Sequence, residues 1–208
     1  MPELEAFILV GGASSRMGRN KANLTVGGLS FVERASSALS AVAPHKITVV
    51  GNIAADCNGL PILCDEHETG RRGSIIGLHT ALKNAASDWC VVLACDMPFA
   101  NDELFTRLAS LDRAHFDAIV PVQQDSGSQP LAAFYRRKTC LPAVEYALQT
   151  NDWSLRNLLT RISTRFVAFD EISDLRHSDL FFLNVNTPDE YTAAQAIVNS
   201  NLAEKFET

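Results

Sequence analysis

The six residues Trp89 to Ala94 read Trp-Cys-Val-Val-Leu-Ala, apolar throughout and without alternation. A strand with one wet face alternates with period two. An unbroken run this short reads instead as a strand covered on both faces, the mark of a parallel sheet between layers of helices. Leu4–Val10, Lys46–Val50, Leu60–Cys64 and Ala118–Val122 are also strand-like. Phe31–Val42, Ser74–Ala86 and Asp102–Leu111 are helical, the last with Leu104, Leu108 and Leu111 at i, i+4, i+7. Strand and helix therefore alternate, which predicts an α/β fold with a doubly wound, mostly parallel sheet. The reading is completed by a further strand over Leu131–Tyr135, helices near Leu141–Leu148 and Trp153–Arg161, and a terminal helix. Thr187, Pro188 and Glu190 give that last helix the N-cap, N1 and N3 of a capping box. No repeat or linker interrupts the 208 residues, so one domain over 1–208 is expected.

In such a sheet ligands collect outside the carboxyl ends of the strands. Directly after Leu4–Val10 comes Gly11-Gly12-Ala13-Ser14-Ser15-Arg16-Met17-Gly18-Arg19-Asn20-Lys21. The glycines let main-chain N–H groups approach an anion, and Arg16 and Lys21 add fixed positive charge, which together suit a phosphate. Neither common phosphate motif fits. G-x-x-x-x-G-K-[ST] fails because Met17 stands five after Gly12, and G-x-G-x-x-G fails because Gly11 and Gly12 are adjacent.

Two aspartates end strand-like runs. In Cys95-Asp96-Met97-Pro98 the carboxylate projects into the same crevice, where its charge is costly unless it meets a cation. Mg²⁺ with nucleotide phosphates is the natural partner; capping of the next helix is the alternative. In Leu63-Cys64-Asp65 the aspartate precedes a polar loop with Arg71 and Arg72, then Gly73-Ser74-Ile75-Ile76-Gly77. A helix starting near Ser74 offers free N–H groups and a positive dipole end to an anion or a base edge; a solvated turn at Asp65 is the alternative.

Bulk properties narrow the class. The formal net charge of -6 argues against nucleic acid as a partner, and no apolar stretch approaches the roughly 18 residues of a membrane span. Cys57, Cys64, Cys90, Cys95 and Cys140 form no C-x-x-C pair, and several lie in apolar runs. Free, buried thiols in a reducing compartment are expected, hence a cytoplasmic protein. His45, His67, His79, His115 and His177 form no i, i+4 pair, which speaks against zinc, and no G-x-S-x-G elbow supports a nucleophilic hydrolase.

The string G-G-x-S-x-R-M-G-x-x-K resembles the signature loop of the nucleotidyltransferases that activate the molybdenum cofactor, above all the molybdenum cofactor guanylyltransferase family. The likeness extends to motifs near residues 65, 96, 130 and 186, nearly the whole chain. Ser128-Gln129-Pro130-Leu131 resembles the family's x-P-L segment, and Asn184-Val185-Asn186-Thr187-Pro188 its N-x-N-T-P. Two amides at i, i+2 on an extended segment face one side and can hydrogen-bond phosphate or a pterin ring without adding charge. The competing use of Asn186 and Thr187 is to cap the last helix.

The resemblance implies a Rossmann-like nucleotidyltransferase fold of the glycosyltransferase-A type. It implies transfer of GMP from GTP to the phosphate of molybdenum-molybdopterin, forming molybdopterin guanine dinucleotide and pyrophosphate. By the same resemblance GTP contacts Leu9, Val10, Gly11, Gly12, Lys21, Asp65 and Asp96, while Lys21, Arg16 and Asp96 are catalytic. Asp96 then holds Mg²⁺, and Gln129, Pro130, Asn184 and Asn186 face the acceptor. The implied partners are the two substrates, with cofactor-synthesis or molybdoenzyme-maturation proteins beyond them. Two residues depart from the family pattern: Ser74 stands where G-P-L-x-G is usual, and Val10 replaces the alanine of L-A-G-G. They keep open CTP with molybdopterin, or a nucleotide with a sugar or polyol phosphate. A nucleotide binder without turnover is the non-enzymatic alternative.

Overall fold

The computed structural model describes residues 4–11, 21–52, 57–65, 73–123 and 127–204. The strands are β1 (Leu4–Leu9), β2 (Thr25–Val26), β3 (Leu29–Ser30), β4 (Ile47–Val50), β5 (Ile62–Leu63), β6 (Trp89–Ala94), β7 (Ala118–Gln123), β8 (Gly127–Ser128), β9 (Ala132–Arg136) and β10 (Thr164–Val167). The helices are α1 (Phe31–Ser40), α2 (Ser74–Asn84), α3 (Asp102–Ser110), α4 (Arg137–Gln149), α5 (Leu155–Arg161) and α6 (Pro188–Glu204).

The sheet runs β10-β7-β9-β6-β1-β4-β5, with β8 paired to β7 off this path. The pairs β1–β4, β1–β6, β4–β5 and β7–β10 are parallel. β9 alone in the path is reversed, pairing antiparallel with both β6 and β7. Only the short stretch 124–131 joins β7 to β9, too little chain for the crossover that parallel neighbours need, so reversal is forced. Its consequence is functional: the start of β9 lies at the same rim as the ends of β6 and β1.

Every residue of β6 is buried, as its unbroken apolar run requires. Successive side chains go to opposite faces. Ala6, Ile8, Val91, Leu93 and Phe134 join one apolar cluster with residues of α1 and α3 and with Val185 and Ala194. Phe7, Leu9, Cys90, Val92 and Tyr135 join another with residues of α2, α4 and α5. Each fully buried Val or Leu contributes about 1.5–3 kcal/mol relative to exposure, so both faces hold their helices firmly. In α3, Leu104 and Leu108 are buried, and Leu111, which caps its end, is partly so, in line with the i, i+4, i+7 spacing.

Several elements differ from the sequence expectation. β5 is only two residues long, and α4 starts at Arg137 although Pro142 lies inside it. The carbonyl that proline leaves without a donor belongs to Lys138, which is exposed, so water can satisfy it. The β2–β3 hairpin and β10 were not foreseen. All five cysteines are free, four of them buried; Cys64 is exposed. No helix among the described residues is long and apolar enough to cross a membrane.

Candidate active site

Backbone hydrogen bonds extend the sheet past its strands into a rim. Val10 N–H donates to the Val50 carbonyl at 2.8 Å, Gly51 N–H to Leu63 at 2.9 Å, Cys95 N–H to Leu9 at 3.1 Å and Ala94 N–H to Leu131 at 2.7 Å. Asp65, Asn52, Gly11 and Asp96 therefore leave β5, β4, β1 and β6 side by side, next to the Gln129–Leu131 segment that enters β9. The exits of β1 and β4 are very close. A β-carbon on Gly51 would stand 1.8 Å from the Val10 carbonyl oxygen, and its φ of +150° disfavours side chains as well, so only glycine fits.

Asp65 is half-buried, its Oδ1 enclosed and its Oδ2 3.7 Å from the place a β-carbon on Gly11 would occupy. Its backbone carbonyl accepts from Asn52 Nδ2 at 3.4 Å. A solvated turn would not enclose an oxygen, so the carboxylate belongs to the rim. Leu9 and Val10 are buried beneath it, while Gly11 is exposed. Gly12 and Arg16 lie outside the described residues, as do the side chain of Lys21 and the loop carrying Arg71 and Arg72. The Lys21 backbone opens a single 3-10 turn, Lys21–Asn23, that leads toward the β2–β3 hairpin.

Asp96 stands partly exposed where β6 ends. Helix α3 has its own cap, since Asn101 Oδ1 accepts from Leu104 N–H at 3.1 Å, so the capping role falls to Asn101 and not to Asp96. The Asp96 carbonyl accepts from Val185 N–H at 2.9 Å, which brings Asn184 and Asn186 alongside it. The cap on α6 forms as expected: Glu190 N–H donates to Thr187 Oγ1 at 3.3 Å, and Thr187 N–H to Glu190 Oε2 at 2.9 Å. Asn186 lends its N–H to the same Glu190 oxygen at 2.6 Å, so its backbone, with the hydroxyl of Thr187, serves the cap. Asn184 is exposed, and its Nδ2 donates to Phe182 at 3.2 Å.

On the other flank Gln129 is buried, and its Nε2 donates to Gln123 Oε1 at 3.1 Å. Pro130 is held through its carbonyl, which accepts from Tyr135 Oη at 2.7 Å. Burial pushes the Tyr135 phenol well above its ordinary range, so it stays protonated and keeps that bond.

The rim has two sides meeting at Asp96. Asp65 and Asp96 leave strands three steps apart, roughly 14 Å at the usual strand spacing, too far to share one ion and suited to an extended ligand. Among the described residues no three His, Cys, Asp or Glu side chains cluster as a metal cage. A lone carboxylate fits Mg²⁺, which typically takes one or two protein carboxylates and completes its shell with waters and substrate phosphates. Residues that the sequence pattern did not single out also stand here. Gly51 and Asn52 follow β4 as Asp65 and Asp96 follow β5 and β6, and that shared offset was the available signal. Exposed Arg156 of α5 brings Nη2 to 4.0 Å from where a β-carbon on Gly127 would sit. No local pattern announces that proximity.

A mostly parallel sheet with a ligand rim at its strand ends is the frame, and the comparisons with known proteins supply the class: the chain is a nucleotidyltransferase. More narrowly, the family model of the MobA-like NTP transferase domain matches residues 6–165, and the chain belongs to that family. Its relatives include the probable molybdenum cofactor guanylyltransferases of Clostridium perfringens, strain 13, and of a Geobacillus species. The first is 33% identical, covering 92% of this chain and 96% of the relative. The second is 30% identical, covering 92% and 97%. Among solved structures, molybdopterin-guanine dinucleotide biosynthesis protein A from Archaeoglobus fulgidus superposes with a TM-score of 0.75 at 25% identity, covering 94% of this chain and 99% of its own. The 2-C-methyl-D-erythritol 4-phosphate cytidylyltransferase of Thermus thermophilus shares the fold, with a TM-score of 0.69 at 18% identity and coverage of 95% and 99%.

Proposed function

We propose that the enzyme transfers GMP from GTP to the phosphate of molybdenum-molybdopterin, releasing pyrophosphate. The observation that supports this reading is the Val185–Asp96 hydrogen bond at 2.9 Å, which ties the segment carrying Asn184 and Asn186 to the aspartate at the end of β6. The Clostridium and Geobacillus relatives, named as probable molybdenum cofactor guanylyltransferases, support the same reading. GTP lies along the exits of β5, β4 and β1, with Asp65 and Asn52 toward the nucleoside and the Gly11–Gly12 backbone toward the phosphates. An oxygen of the acceptor phosphate attacks the α-phosphorus; the new P–O bond forms as the bond to the β-phosphate oxygen breaks, and pyrophosphate leaves with that electron pair.

The chain's part is alignment and charge stabilisation. Lys21 and Arg16 offset charge growing on the phosphates. Asp96 is the residue that would hold Mg²⁺, which would supply neutralisation of phosphate charge. Gln129, Pro130, Asn184 and Asn186 orient the acceptor, and Pro130 is braced for this by Tyr135.

Cytidylyl transfer is the second reading, favoured by Ser74, which is exposed at the first position of α2. Thermal-shift titration with GTP, CTP and ATP in Mg²⁺ separates the two. A ligand at 100 times its Kd adds about 2.7 kcal/mol of stability. The largest shift is expected with GTP; a shift with CTP alone would transfer the assignment to cytidine.

A further inference from the structure

The N-terminus of α2 opens at the rim because α2 follows β5 and precedes β6. Its cap residue, Gly73, makes no side-chain capping bond, and Gly73 and Ser74 are both exposed. Two contacts fix where this first turn stands. From below, Gly77 lets α2 close on β1, since a β-carbon there would meet Leu9 Cδ1 at 3.4 Å. From the side, Trp153 brings Cε3 to 3.7 Å from the β-carbon position of Gly73.

Trp153 is rigidly presented. Its ring packs, partly buried, on the apolar cluster that holds Leu9, Ile75, Leu158 and Leu159. The residues on either side of it are tied. Asp152 Oδ1 accepts from Ser154 N–H at 3.2 Å and from Asn157 Nδ2 at 3.1 Å, and Asp152 Oδ2 pairs with Arg161 Nη2 at 2.7 Å. Ser154 Oγ in turn caps α5 by accepting from Asn157 N–H at 3.2 Å. A stiff aromatic plate is thereby set against the bare backbone of Gly73, the residue that caps α2.

We infer that Trp153 is a positioning residue of the nucleotide site: its indole holds Gly73, and with it the free N–H groups opening α2, in the orientation that receives the nucleotide. This rests on the nucleotide site proposed above. Free N–H groups at a helix start bind an anion or a base edge only when they converge on it, so a loosened first turn weakens binding without touching the reacting atoms.

Tryptophan emission tests this directly. The chain's other tryptophan, Trp89, starts β6 at the opposite end of the sheet, with Arg113 and Arg136 over its ring at 5.2 and 5.0 Å. Titration with GTP and Mg²⁺ is expected to change the emission of the wild-type protein, and Trp153→Phe to abolish that change. In Trp153→Leu the KM for GTP rises about tenfold while kcat stays within about twofold, the pattern of lost uniform binding. Trp153→Phe, which keeps a flat ring, restores most of the KM, and it carries the test should the leucine variant unfold. Wild-type KM in both variants, with GTP binding seen by calorimetry and emission unmoved, overturns the inference. Absence of GTP binding to the wild-type protein by calorimetry instead overturns the proposed nucleotide site, and the inference falls with it.

Discussion

Asp65 and Asp96 are the same residue type at the same offset from a strand, yet their surroundings differ, and we propose different tasks for them. Asp65 has one oxygen enclosed and its backbone tied to Asn52, which suits a fixed contact to a neutral part of a ligand. Asp96, half-buried as well, has its backbone carbonyl tied to the 184–186 segment, which suits a charge that meets a cation between two substrates. Asp96→Asn keeps the shape and removes the charge, so Mg²⁺-dependent turnover is expected to vanish while the protein stays folded; activity retained at ordinary Mg²⁺ removes the metal role. Lys21→Ala is expected to lower kcat/KM about a hundredfold or more, the scale of losing one transition-state donor. Steady-state kinetics beside an unchanged unfolding midpoint would show that loss as chemical and not structural.

At the scale of elements, what was legible followed from burial. β1, β4, β6 and β7 announce themselves because strands covered on both faces leave little room for polar residues, and α6 because its capping box is local chemistry. The unforeseen elements lack such signals. β10 is an edge strand with Phe166 exposed, and β2 and β3 are two residues each, joined by Gly27 and Gly28. The reversal of β9 depends on the length of a connection and on which neighbour it meets, which periodicity does not encode. One element junction is decisive for the rim. Gly51 lets the exit of β4 touch that of β1, and Gly51→Ala forces a β-carbon onto the Val10 carbonyl in an unfavourable φ. A loss of about 3 kcal/mol is expected from overpacking and backbone strain together, read from the denaturant midpoint at unchanged slope. A change below half of this would mean that the two exits can part without disturbing the sheet.

Over the whole molecule, the carboxyl ends of β5, β4, β1 and β6 lie along one stretch of the rim and the start of β9 with the 184–186 segment along the next; we propose the first as the nucleotide side and the second as the acceptor side. Most of the candidate residues were readable because each directly follows or precedes a strand, and strands could be located. Their grouping was not readable: Val185 reaches Asp96, and Trp153 reaches Gly73, from far along the chain. Long-range contacts of this kind are products of the packed sheet and leave no local trace. The central claim is that the two sides cooperate in one transfer with a defined direction. Its most direct test is pyrophosphate release after mixing the purified protein with molybdopterin, Mg²⁺ and, in turn, GTP, CTP and ATP. Release with GTP that depends on both Mg²⁺ and the acceptor is the predicted result. GTP binding with no release under any of these conditions would contradict it.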